Sequence, residues 1–217
     1  VALMSFNEVS VEPYSYRKQI NSIYGAVNLG WKHMLYFDAT LRGDQCSTLP
    51  ISNNMYIYPS FSGSFVFSEL LKLGDKLPYG KVRMSWAQVG SDTDPYQLGL
   101  VYTKSKFAYP GYTIGYISNG TIPNKDLKPT KTNSFEMGLE LKFLKNRIGL
   151  DFTYYSQLSK NQIMGMARSS PSGYGYRLIN AGEIENKGVE IALNTRPIQT
   201  KDFSWDLNFN FSKNSNK

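Results

Sequence analysis

At 217 residues the chain is long enough for one sizeable domain, and 16 Tyr, 12 Phe and 18 Gly beside only 19% charged residues make it aromatic-rich and charge-poor. An ordinary soluble domain carries about 25% charged residues. The formal charge of +7 comes from scattered Lys and Arg with no aromatic-interleaved run, which argues against nucleic acid as a partner, and no apolar run nears the roughly 18 residues of a membrane-spanning helix. The mean hydropathy of -0.37 does not exclude a barrel, whose strands of about 9 to 11 residues show lipid only every second side chain. The lone Cys46 has no internal disulfide partner, and the lone His33 supplies neither a metal cluster nor a serine triad.

In chain order, the first segments read as strands. Ile20 to Leu29 is a weak strand signal. Leu35, Phe37, Ala39 and Leu41 then alternate with Tyr36, Asp38, Thr40 and Arg42, a period of two that marks a sheet with one apolar and one polar face. Phe61, Gly63, Phe65 and Phe67 oppose Ser60, Ser62 and Ser64, and Glu69 to Leu73 has room for one helical turn. Val82, Met84 and Trp86 oppose Arg83 and Ser85.

The later segments repeat the pattern. Phe135, Met137, Leu139, Leu141 and Phe143 oppose Glu136, Gly138, Glu140 and Lys142. Ile148, Leu150, Phe152 and Tyr154 oppose Arg147, Gly149, Asp151 and Thr153. Val189, Ile191 and Leu193 oppose Glu190 and Asn194, and the cleanest alternation runs from Phe203 to Ser212. The total is about eight strands, several of about 10 residues where soluble strands average about 5 to 6.

The connections alternate in length. Those at 30–33 and 144–146 are tight, those at 68–81 and 195–202 intermediate, and those at 43–56, 89–131 and 162–176 long and rich in Gly, Pro, Ser and Asn. Numbered in order, the long loops fall on one end of the sheet, as in outer-membrane barrels with short periplasmic turns and long external loops. Aromatics near strand ends (Tyr24, Trp31, Tyr56, Tyr58, Trp86, Tyr154, Tyr155 and Trp205) match the girdles such barrels carry at both water interfaces. A soluble sandwich would instead bury them.

Five segments carry a family likeness. Tyr24-Gly25-Ala26-Val27-Asn28, then Leu35 to Asp44, Tyr58 to Phe65 with its Tyr58-Pro59-Ser60-Phe61 opening, Lys81 to Asp92 continuing into Asp94-Pro95-Tyr96, and Asn180 to Glu190, an Asn180-Ala181-Gly182 followed by Asn186-Lys187-Gly188-Val189-Glu190, stand in the order of, and resemble, the SusC/RagA branch of TonB-dependent receptors. The resemblance implies an all-β fold, an antiparallel transmembrane β-barrel segment contributing about eight strands to a bacterial outer-membrane barrel of roughly 22. The expected domain organisation is residues 1–217 as part of a barrel domain, with the plug domain and closing strands outside the chain, and Val1-Ala2-Leu3-Met4-Ser5 lacking the features of a signal peptide. The resemblance further implies nutrient import of oligosaccharides or peptides, a SusD-like surface lipoprotein over the mouth, coupling to the TonB-ExbB-ExbD complex through a missing amino-terminal segment, and no cofactor.

Two sets of residues are expected to matter. Asp38, Arg42, Glu136, Glu140, Arg147, Asp151 and Glu190, with Lys142, should line a wet lumen or touch the plug. Tyr102, Phe107, Tyr109, Tyr112, Tyr116, Tyr174 and Tyr176 offer stacking faces to sugar rings or peptide side chains on external loops, where binding residues ride on a rigid scaffold. The plainer reading of these rings is that they pack the loops against their neighbours or against the lipoprotein.

Ser91-Asp92-Thr93-Asp94 lacks the later Gly and Glu of a calcium loop and reads as a capped turn. Glu183 and Glu185 share a strand face as a glycosidase pair might, but lie in a structural turn motif. Nothing points to an enzyme. Two other architectures remain: a self-contained small barrel, acting as a pore or an outer-membrane enzyme, which predicts pairing between the first and last strands, and a soluble sandwich binding module.

Overall fold

The computed structural model describes residues 15–72, 74–100, 102–104, 112, 114–117 and 120–217. Eight long strands form one antiparallel sheet: β1 (Ile20–Trp31), β2 (Leu35–Cys46), β3 (Met55–Val66), β4 (Tyr79–Ser91), β8 (Thr130–Phe143), β9 (Ile148–Lys160), β12 (Glu183–Gln199) and β13 (Ser204–Asn216). Their spatial order is their chain order, with β1 and β13 at opposite edges. The pairing of first with last strand that a closed eight-stranded barrel requires is therefore absent among the described residues.

The remaining strands belong to the long loops. β5 (Tyr102–Lys104) and β6 (Gly115–Ile117) form a ribbon, while β7 (Thr121–Ile122) joins β10 (Ile163–Ala167) and β11 (Tyr176–Asn180). The connection after β4 is thus sewn to the connection after β9 by the parallel pairing of β7 with β11. These small strands lie where sequence periodicity predicts only loop, because segments of two to five residues are too short to display a period. The helical turn expected at 69–73 forms slightly earlier, at Phe67–Leu71.

Register turns the alternation of each strand into two continuous faces. One row runs Trp31, Leu35, Phe65, Val82, Leu139, Phe152, Ile191 and Phe211, one residue from every strand and all apolar. The next row, on the other face, runs Gly30, Tyr36, Ser64, Arg83, Gly138, Thr153, Glu190 and Ser212. Nothing among the described residues covers the apolar face: Leu35, Met84, Met137 and Phe211 remain 41–58% exposed. A sandwich needs a second sheet on that face, and the other two sheets are loop ribbons of three and two strands.

The turns show how the short end is held. Lys32 and His33 take φ of 50° and 55°, and Leu144, Lys145 and Asn146 take 52°, 56° and 66°. Left-handed backbone is uncommon outside glycine and persists where its surroundings over-determine it, here the long ladders on either side. Pro197 sits where the β12–β13 register shifts, between Thr195 and Ile198, a place that tolerates a residue without an N–H.

Candidate functional site

All the strand residues expected to line the lumen (Asp38, Arg42, Glu136, Glu140, Asp151 and Glu190) fall on the polar face, and Lys142 joins them. Arg147 stands in the β8–β9 turn and borders a hollow shared with Lys142, Asn194 and Asn208 of that same face. Most of the charges on this face have partners, in separate groups. Arg83, which sequence reasoning left off the lumen set, is the centre of one of them.

Arg83 reaches from β4 across β8 to β9, donating from both terminal nitrogens to the Asp151 carboxylate at 3.0 and 2.9 Å and to Thr153 Oγ1 at 2.7 Å. It can do so because Gly138 lies beneath it: a Cβ there would fall 2.4 Å from Arg83 Nε and 2.8 Å from Cγ. Two parallel N–H···O bonds give this pair directional specificity that a lysine would lack. Glu136 flanks the guanidinium at 4.0 Å, and Glu190 lines a hollow of about 500 Å³ beside it. Glu140 pairs with Lys142 at 3.6 Å, and Asp38 accepts from Asn28 and Ser62. Arg42 donates to Asp44 at 2.8 Å, whose other oxygen takes the Tyr58 hydroxyl.

Towards the long loops the wall ends in a second cluster. The β3–β4 ladder begins only at Ser60, next to Pro59, which has no N–H to offer it. Beyond Pro59 the β3–β4 ladder is not continued, and Cys46, Leu49, Tyr56 and Leu127 form a buried cluster at that end. Asp92, just past β4, accepts from Cys46 Sγ at 2.6 Å and Thr48 Oγ1 at 2.8 Å, and from the Lys18 ammonium at 2.9 Å. Burial pushes the Asp92 carboxyl up, but hydrogen bonds from Cys46, Lys18 and Thr48 outweigh it and hold it below its ordinary value of 3.8. The bond to Asp92 raises Lys18 against a weaker effect of burial. Asp92 is thus a structural acceptor, its carboxylate held by donors from Lys18, Cys46 and Thr48. Cys46, a bystander by composition, is part of the rim's packing.

The aromatic sets divide by position. Of the expected girdle, Trp31, Trp86, Tyr154 and Trp205 share the apolar face, whereas Tyr24, Tyr56, Tyr58 and Tyr155 stand at polar-face positions. A ring at a strand end carries no sign of its face until register assigns one. Of the loop tyrosines, Tyr102 and Tyr116 lie on opposite faces of the β5–β6 ribbon, and Tyr102, Tyr112 and Tyr116 are exposed. Tyr174 follows a bend supported by its own N–H and Ser172, and Tyr176 lies against Gly165 in the other loop sheet. Phe107 and Tyr109 lie outside the described residues. Glu183 and Glu185 pair with Lys160 and Lys187, at 3.0 and 3.2 Å.

Residues 3–217 match the family described as TonB dependent receptor-like, beta-barrel. The chain belongs to that family. It is 29% identical over 96% of its length to TonB-dependent receptor P3 of Formosa agariphila, and 29% identical over 94% to TonB-dependent receptor SusC of Bacteroides thetaiotaomicron. It spans about a fifth of each, 21% in both cases. Among solved structures, the RagAB peptide transporter superposes with a TM-score of 0.84 at 23% identity, covering 92% of this chain and 22% of that one. The siderophore receptor PirA of Pseudomonas aeruginosa superposes at 0.59 and 20% identity, over 91% of this chain and 35% of its own.

This TonB-dependent receptor segment is accordingly an outer-membrane barrel piece, and the relatives named are receptors and transporters rather than enzymes. The structure gives physical reasons for three of the motif residues. Pro59 stands where the β3–β4 ladder stops. Asn180 clamps the peptide of Lys128, accepting from its N–H at 2.8 Å and donating to its carbonyl at 2.7 Å. Gly188 leaves room for Tyr155, whose hydroxyl would sit 2.6 Å from a Cβ there and which donates to Asn214 at 3.2 Å.

Proposed function

We propose that this chain is a stretch of wall in an energy-coupled outer-membrane importer, with its apolar face in lipid and its polar face towards a wet interior. The observation that carries the reading is the pair of unbroken faces across eight strands, joined to long connections gathered at one end. Backbone in hydrocarbon must be hydrogen-bonded internally, so in the bilayer β1 and β13 pair with further strands of the same barrel. The Arg83–Asp151 crosslink and its neighbours then face the interior or a plug held there, with Asp38, Arg42, Glu136, Glu140, Arg147 and Glu190 as lining groups.

The cargo in this reading is an oligosaccharide or a peptide. The relatedness to SusC and the likeness to the RagAB peptide transporter support it. The partners are a SusD-like lipoprotein at the outer mouth and the TonB-ExbB-ExbD complex, reached through a segment outside this chain. Tyr102, Tyr112, Tyr116, Tyr174 and Tyr176, with Phe107 and Tyr109, are the contact set for cargo or lipoprotein. An antibody against the β5–β6 region, used on detergent-solubilised outer membranes, tests the reading: a band several times the 24.6 kDa of this chain, co-purifying with a lipoprotein, is expected. A membrane-bound band at the size of the chain itself would overturn it.

A further inference from the structure

We propose that the outer, lipid-side flank of β3, β8 and β9 binds the phosphate headgroup of a membrane lipid between Lys128, Lys131 and Lys160. The inference rests on the apolar face lying in the bilayer. It begins with a mismatch in the ladder: Lys131 stands directly opposite Lys160. Like charges directly opposed across two strands destabilise the pair. Lys160 has Glu183 at 3.0 Å, whereas neither Lys131 nor Lys128 has a carboxylate partner among the described residues. Three cations therefore share one anion, and charge complementarity calls for another.

The place is built. A hollow of about 590 Å³ opens here, lined among others by Asn53, Met55, Ile57, Lys128, Lys131 and Asn161, with Lys160 outside it, across the ladder from Lys131. Its wall is fixed by Asn180, which holds the Lys128 peptide on both sides and donates to the Asn161 carbonyl at 3.1 Å. Thr130 Oγ1 donates to that same carbonyl at 3.2 Å. Met55 and Ile57 share the register parity of the apolar belt and are 65% and 55% exposed.

Height agrees with the assignment. From Phe143 at the short-turn end, β8 climbs to Lys131 over roughly 40 Å of strand at about 3.3 Å per residue. A tilt of about 40° reduces this to the roughly 30 Å of a hydrocarbon core. The lysines thus reach the opposite headgroup level. A free phosphate would satisfy them and leave Met55 and Ile57 in water, whereas an amphiphile with an anionic head satisfies both, its chain against the apolar pair and its phosphate among the ammonium groups.

The test uses the full-length receptor, purified from outer membranes and reconstituted in phosphatidylcholine nanodiscs doped with phosphatidylglycerol, with retained lipid read by native mass spectrometry. The wild type should retain phosphatidylglycerol selectively, and the K128Q/K131Q/K160Q variant should lose most of that retention, a several-fold drop. K145Q, at the short-turn end, should leave it unchanged. Equal retention by the triple variant, equal retention of phosphatidylcholine, or displacement of the lipid by inorganic phosphate would each overturn the proposal. A lipid-soluble label on Met137→Cys separates the two readings: labelling with no selective retention sinks the headgroup site alone, and failure to label sinks the bilayer placement with it.

Discussion

Between Ser60 and Phe65, β3 is paired on both sides, and parity alone decides which way each side chain points. Between Met55 and Pro59 the same strand keeps β2 but has lost β4, and order there depends on side chains: Tyr56 against Gly90, Asn53 donating to the Leu127 carbonyl, and Asp92 gathering Cys46, Thr48 and Lys18. The lower wall is therefore set chiefly by its backbone ladders, and at most positions only the class of each side chain matters, Arg83 and the glycines beneath crossing side chains being the exceptions. The rim is a side-chain structure in which particular residues matter. The two should respond differently to perturbation.

The largest effect should come from violating class in the wall. Leu139→Lys places a charge in the middle of the apolar row and should cost roughly 2 to 4 kcal/mol. Reversible urea unfolding of the full receptor in lipid would measure it, and a cost near zero would mean that row is not in hydrocarbon. Next come the glycines under crossing side chains. A Cβ at Gly188 would meet the Lys213 carbonyl at 2.5 Å as well as the Tyr155 ring, so Gly188→Ala forces backbone to move. About 1 to 3 kcal/mol is expected, the usual cost of overpacking. Gly138→Ala presses only on the flexible Arg83 and should cost less while displacing the Asp151 pairing.

Arg83→Met is a smaller perturbation, about 1 kcal/mol or less, because Arg83 and Asp151 are each about a third exposed and solvent screens the pair. Its value lies in the comparison with Arg83→Lys, which keeps the charge and loses the fork. If uptake falls equally in both, geometry is what the interior uses.

The smallest effect belongs to the rim. Asp92 is depressed in the folded state, so its contribution is complete above the unfolded value of about 3.9 and disappears as pH falls through the lower folded value. Lys18 is raised, so its contribution is complete below about 10.4 and disappears as pH rises through the higher folded value. Hydrogen-exchange protection at the Ser47 amide, which donates to the Gln19 carbonyl, should therefore be flat from about pH 4 to 10 and drop on either side, while amides of β8 stay protected. A drop in the middle of that range would refute the ion-pair account of the rim.

The wall was legible in sequence because its information is local. From Phe135 to Phe143 and from Phe203 to Ser212, each residue declares its face by alternating with the next, and the loop lengths supply the ends. β1 was faint because Gly25, Ala26 and Asn28 blur the contrast between its faces. The rim was not legible at all, since Cys46 and Asp92 meet only after two strands and a loop have been placed. Gly138 and Arg83 belong to different strands, so a glycine in an alternating run looks like a weak strand residue until the side chain above it is known. The alternation assigns the charged residues to the polar face, whereas the pairing of Arg83 with Asp151 and Thr153 is not legible in it, because it joins strands on either side of β8.

The most direct test of the two-faced wall is single-cysteine scanning along β8 from Phe135 to Lys142 in the full-length receptor, in intact outer membranes, with native Cys46 buried. Positions 135, 137, 139 and 141 should react with a lipid-soluble maleimide and resist a charged one, and positions 136, 140 and 142 should do the reverse, with Gly138 left unchanged because it is buried beneath Arg83. Reaction of both sets with the charged reagent would place both faces in water and contradict the account.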